Sequence, residues 1–73
     1  MTISRRARRY TTATCVIRSW AAQDGPYRVA EITSLFGLPK LYLAIQRQPG
    51  GGETIVSRHR KRSAAIRAIE KIT

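Results

Sequence analysis

The chain predicts an α+β fold: a small antiparallel sheet of three to four strands with one C-terminal helix packed on one face. Three observations lead there. Runs rich in Val, Ile, Thr, Tyr and Leu recur along the chain, separated by breaks that contain Gly and Pro. The strongest break, Pro49, Gly50, Gly51 and Gly52, lies between two such runs, as a hairpin loop does. The C-terminal stretch then changes period. Ala65, Ala68, Ile69 and Ile72 recur at helical spacing, with Ile66 at the edge of the stripe.

Taken in order, residues 1–9 read as a flexible basic arm, because Arg5, Arg6, Arg8 and Arg9 stand without apolar periodicity. Residues 10–73 read as a single β-β-β-β-α domain. The first strand is expected over residues 10–20, where Thr11, Thr12, Thr14, Val16 and Ile17 are β-branched. One of its faces carries Tyr10, Thr12, Thr14, Val16, Arg18 and Trp20. The other has Cys15 and Ile17 at its centre and is expected to point inward. Cys15 reads as a small buried hydrophobe, because no neighbouring His or Asp activates the thiol.

Asp24, Gly25 and Pro26 form a turn. Residues 27–36 read as the second strand, with the apolar weight of one face at Ala30, Ile32 and Phe36 and with Glu31 facing out. A helix is the rival reading, but Thr33 and Ser34 weaken a helix interior. Gly37, Leu38 and Pro39 break that run. Residues 40–48 form the clearest strand. Its core residues are expected to be Leu41, Leu43 and Ile45, with Tyr42, Ala44 and Gln46 on the opposite face. Residues 53–58 complete the sheet, and the helix begins near Arg62 or Ser63 and runs to about Ile72. Arg67, Glu70 and Lys71 then point to solvent. A helix of this length does not persist alone in water, so it needs the sheet.

Size and charge narrow the functional classes. The chain has 73 residues and one cysteine, which excludes an intrachain disulfide framework. A domain this small buries roughly 60% of its unfolded surface and leaves a monomer little room for a deep, dry pocket. No uncharged run approaches the about 20 apolar residues that cross a bilayer, so no membrane partner is expected and a cytoplasmic location is. The net charge is +10, from 14 Lys and Arg against 4 acids. Eleven of those cations are Arg, whose rigid donor fork matches phosphate geometry. Such charge on a small domain repels itself and calls for a polyanionic partner.

Little material for catalysis is present. Asp24, Glu31, Glu53 and Glu70 have no spacing that pairs carboxylates. His59 lies among cations that favour its neutral form, and it reads as solvated or phosphate-adjacent. One His and one distant Cys do not make a metal site. The glycine loop at 50–52 lacks the Lys and Ser or Thr of a phosphate loop, and no helix follows it. No enzyme activity, cofactor or metal is expected.

The expected function is nucleic-acid binding, DNA or RNA, by contact with the phosphate backbone. The candidate contacts are Arg5, Arg6, Arg8 and Arg9 in the arm, Arg58, His59, Arg60, Lys61 and Arg62 at the strand-to-helix junction, and Arg67 beyond it. Cations at a helix start oppose the helix dipole, and that conflict points to function rather than stability. Aromatic surface from Tyr10, Trp20, Tyr27 or Tyr42 beside Arg18, Arg28 and Arg47 on an open sheet face could stack bases. Trp20 reads alternatively as core. The competing expectation is a protein-interaction module or inhibitor, of the kind found in phages and mobile elements, that binds an acidic or nucleic-acid-associated protein. A homodimer through an open edge or face is compatible with either.

The run Lys61, Arg62, Ser63, Ala64 and Ala65 resembles the close of double-stranded-RNA-binding domains, where basic residues start a final Ala-rich helix after a strand. The likeness spans about a quarter of the chain, and residues 1–20 have no counterpart to that family's first helix. The element order is also similar to the small sheet-plus-helix, arm-site-binding domains of phage integrases, which use their sheet in a DNA groove. Neither resemblance rests on a specific motif, and no family is assigned from it.

Overall fold

Thr12 decides the first turn. In the computed structural model, which describes residues 3–72, its Oγ1 accepts hydrogen bonds from the backbone N–H of Thr14 (3.3 Å) and Cys15 (3.1 Å). The Thr12 N–H donates to the Cys15 carbonyl at 2.9 Å and closes the turn. A threonine side chain that captures nearby backbone donors in this way makes a turn out of a β-prone run. The single strand expected over residues 10–20 is therefore a hairpin: β1 is Arg8–Thr11 and β2 is Cys15–Ala21. Strands β3 (Tyr27–Ser34), β4 (Leu41–Arg47) and β5 (Glu53–His59) follow, and helix α1 spans Arg62–Ile72.

The sheet is a five-stranded antiparallel meander in the order β1-β2-β3-β4-β5. The expected architecture holds, with one strand more than the three to four read from the sequence. The extra strand joins the end of the arginine-rich arm to the start of the split run: Arg8 and Arg9 pair with Ser19 and Arg18, and Tyr10 and Thr11 with Ile17 and Val16. Upstream, Ile3 bridges Ala22 and the Ser4 N–H donates to the Ala21 carbonyl at 2.8 Å. Strand β3 stops at Ser34, so Phe36 lies outside it and is exposed. In the β4–β5 hairpin the Gln48 N–H donates to the Gly52 carbonyl at 2.7 Å, and Gly51 takes φ of 96°, which an L side chain rarely adopts.

Strand alternation gives the sheet two apolar faces. One carries Trp20, Val29 and Ala44, and α1 lays Ala65 and Ile69 on them. The small side chains of Ala44 and Ala65 let helix and sheet approach closely while Trp20 fills the flank. A register shift beside Ala44 and Ile45 forms a bulge, and Val56 joins this core. The other face carries Ala30, Leu43 and Ile45, with Ile17, Ile32 and Leu41 packed around them, and no helix covers it. Leu43 and Ile45 are thus buried as expected, but they point away from the helix. Ala44, expected opposite the core, is the residue under it. Cys15 is half-buried on the uncovered side, with Sγ 3.1 Å from Thr12 Oγ1.

Candidate functional site

The basic run after β5 divides. Strand alternation sends Arg58, opposite Leu43, to the uncovered face, while His59, opposite Tyr42, goes to the helix side. His59 is half-buried, with Nε2 2.6 Å from Ser57 Oγ. Arg60 and Lys61 turn the corner, exposed. The Lys61 carbonyl accepts from the Ala65 N–H at 3.3 Å, so a lysine stands where a capping Ser, Thr, Asp or Asn is favoured. No acidic residue occupies the first turn. Arg62 lies over the Trp20 ring, 5.1 Å from its centroid, and Arg18 lies at the same distance. Arg62 therefore packs as well as carrying charge. Arg67 sits exposed in the middle of α1, apart from the junction.

A polar hub anchors this end of the helix side. Arg9, Arg18, Glu31, Tyr42 and His59 follow one another in register across the five strands. Glu31, expected to face out, is only 5% exposed. It accepts from Arg18 Nε at 2.8 Å and from the Tyr42 hydroxyl at 2.8 Å. The Arg18 hydrogen bond holds the Glu31 carboxyl below its usual range, against the opposing effect of burial. Donation to Glu31, with burial, raises the Tyr42 hydroxyl above its ordinary value. The sequence hides this hub because β3 carries apolar residues on both faces, so alternation does not show that Glu31 shares a face with the core residue Val29.

The uncovered face holds a different cluster. A concave cleft of about 740 Å³ is lined by Arg6, Arg8, Arg28 and Arg47, with Tyr10 among them, while Arg9 borders it from β1 although its register turns its side chain to the helix side. Ser19 and Ala21 contribute short side chains to the cleft wall. The single carboxylate in the lining is Glu53, which receives Arg28 in a two-pronged contact of 2.7 and 2.9 Å. That fork reaches across β4 from β3 to β5. It keeps Glu53 below the usual carboxylate range, and Glu53 first, then the Tyr10 hydroxyl, favour the charged form of Arg28. Arg58 extends this face: Arg8, Ser19, Ala30, Leu43 and Arg58 form one cross-strand row with an arginine at each end.

The candidate residues thus fall into two groups. Arg6 and Arg8 gather at the cleft, with Arg9 at its border, and Arg60, Lys61 and Arg62 stand at the junction; Arg5 is exposed but is not part of the cleft lining. Arg28 and Arg47, expected beside aromatics on an open sheet face but not as phosphate-backbone contacts, also line the cleft. The available signal was their parity, which places both on the same face as Arg8 and Tyr10. Of the four aromatics considered for an open face, Tyr10 takes that place, while Trp20, Tyr27 and Tyr42 pack into or against the helix-side core.

A third feature lies at the junction end. The β3–β4 loop exposes Leu35 (54%), Phe36 (75%) and Leu38 (69%). The last β3–β4 pair is Ile32 with Leu41, and the last β4–β5 pair is Tyr42 with His59, so loop and junction leave the sheet at the same end. Among the described residues, no three His, Cys, Asp or Glu side chains gather as a metal site, and no helix is long and apolar enough to cross a membrane.

Fold and surface together define a class: a small antiparallel meander with one helix on one face and a basic cleft on the other. No protein-family model, curated protein or solved structure matches the chain.

Proposed function

We propose that the protein binds nucleic acid, DNA or RNA of the cytoplasm or nucleoid, through the phosphate backbone and without catalysing a reaction. The observation that carries this reading is the cleft, where Arg6, Arg8, Arg28 and Arg47 converge on a surface holding one carboxylate, and that carboxylate is already engaged. Guanidinium groups placed close together repel one another, and a phosphate chain relieves that repulsion while accepting their donor forks. The exposed cations of the junction supply a second zone of contact. Fluorescence titration with duplex DNA, single-stranded DNA and duplex RNA at two salt concentrations tests the reading. Affinity is expected to fall steeply as salt rises, because bound phosphates release counterions. Absence of binding to all three nucleic acids would overturn it.

A second reading, a protein-interaction module, has one specific observation in its favour. Leu35, Phe36 and Leu38 present apolar surface that the fold does not use, and such surface marks a contact site. Its test is recovery of a partner protein that survives nuclease treatment and is lost on Phe36→Asp.

A further inference from the structure

The cleft on the uncovered face has a shape that bears on which nucleic acid it takes. Tyr10 stands on β1, an edge strand, with its side chain on the cleft side and about half exposed (48%). Ile17 stands opposite Tyr10 on β2, and from there the cleft wall continues through the short side chains of Ser19 and Ala21 toward Arg28. Arginines border the cleft, Arg8 on the same strand and Arg28 and Arg47 from β3 and β4. The volume, about 740 Å³, is that of a small-molecule site, roughly 300–1,000 Å³. A space of this size takes a base with its sugar and phosphate, whereas a duplex would meet only its rim. A paired base enters such a space only after leaving its stack, which costs a few kcal/mol.

Resting on the reading that the cleft binds nucleic acid, we infer that it is a single-strand site in which Tyr10 stacks on an unpaired base and Arg8 and Arg47 hold the flanking phosphates. Stacking on an aromatic ring is tolerant of base identity, and a basic track along the backbone is its usual companion. The Arg28–Glu53 fork keeps the wall opposite Tyr10 in place. Its charge is already matched, so the phosphates are left to the other arginines. The inference also accounts for the position of β1. By pairing with β2, the arginine-rich segment is aligned along one wall of the cleft.

The experiment is a fluorescence-anisotropy titration of fluorescein-labelled oligothymidylate, oligouridylate and the oligoadenylate–oligothymidylate duplex, with polyglutamate as an acidic control. The expected result is tighter binding of the two single strands than of the duplex or of polyglutamate. Tyr10→Ala weakens the single strands by roughly 5- to 150-fold, leaves the duplex nearly unchanged, and does not alter the salt slope, while Tyr10→Phe keeps most of the affinity. The double variant Arg8→Ala, Arg47→Ala reduces the single-strand salt slope by about 1.4, at roughly 0.7 per phosphate contact. Circular dichroism melts of each variant verify that it is folded. If duplex and single strands bind equally, or Tyr10→Ala changes none of them, the inference falls and the broader reading stands. Polyglutamate binding as tightly as the single strands also overturns it. If none of the three nucleic acids binds, the reading beneath it falls as well.

Discussion

The junction at 58–62 and the cleft on the uncovered face are both basic, yet they are built in opposite ways. The junction is contiguous in sequence, and folding disperses it: Arg58 goes to one face, His59 to the other, and Arg62 packs over Trp20. The cleft is scattered in sequence, and folding collects it, bringing residues from the arm, β3 and β4 around Tyr10. Density of charge along a chain is therefore a poor guide to density of charge in space. In a sheet, alternation halves any contiguous run, while register brings distant residues of one parity into a row.

The largest expected effect separates what carries each region. The junction is held by α1, and α1 by Ile69, which is fully buried between helix and sheet. Ile69→Ala is expected to cost about 2–5 kcal/mol in urea unfolding. Hydrogen exchange in this variant should speed up in α1 more than in β2, β3 and β4, which carry the cleft wall on their other side. Equal loss of protection in both would show that the two regions are not mechanically separate.

Next comes binding itself. Replacing Arg6, Arg8 and Arg47 together with Ala is expected to weaken binding of single-stranded nucleic acid by on the order of a thousandfold or more, since each charge-assisted contact contributes about 1.5–3 kcal/mol. Arg60→Ala with Lys61→Ala, which removes exposed charge without disturbing the Trp20 contact, is expected to cost about tenfold or less. A reversal of that order would move the principal site to the helix start.

Each region also has its own carboxylate, and pH distinguishes them. Glu31 ties Arg18 and Tyr42 together on the helix side, and Glu53 ties Arg28 into the cleft wall. Both carboxyls are depressed in the folded protein. Their stabilising contribution is therefore present above the unfolded value near 4.3 and is lost as pH falls through the lower folded values. Tyr42 behaves in the opposite sense: its hydroxyl is raised, so its contribution is present below about 10 and is lost as pH climbs through the raised value. Thermal melts from neutral pH downward should show a falling midpoint below about pH 4.3. Glu31→Gln should remove more of that acid sensitivity than Glu53→Gln, because Glu31 is buried and accepts from two partners, whereas Glu53 is exposed.

The smallest effect concerns the apolar loop. Phe36→Ser should change stability by no more than about 0.5 kcal/mol, since the ring is 75% exposed. It should leave the cleft's affinity for nucleic acid unaltered. A large loss of affinity would show that the loop and the cleft share one ligand.

Local chemistry determined much of this molecule. The period change at residue 62 predicted a helix that the structure places at Arg62–Ile72, with Ala65 and Ile69 buried and Arg67, Glu70 and Lys71 exposed. The glycines at 50–52 located the β4–β5 hairpin, because φ of 96° at Gly51 is open to few other residues. Composition alone fixed the net charge of +10, the ground for proposing a polyanionic partner. Three other features depended on the tertiary structure. Thr12 is β-prone by propensity, and only its capture of two backbone donors turned one expected strand into two. The strands are apolar on both faces, so alternation could not say which face the helix takes; close approach between Ala44 and Ala65 decided it. The basic surface followed from the same choice. With α1 over Trp20, Val29 and Ala44, the opposite parity is left open, and Arg8, Tyr10, Arg28 and Arg47 meet there because hydrogen-bond register, not sequence distance, sets their separation.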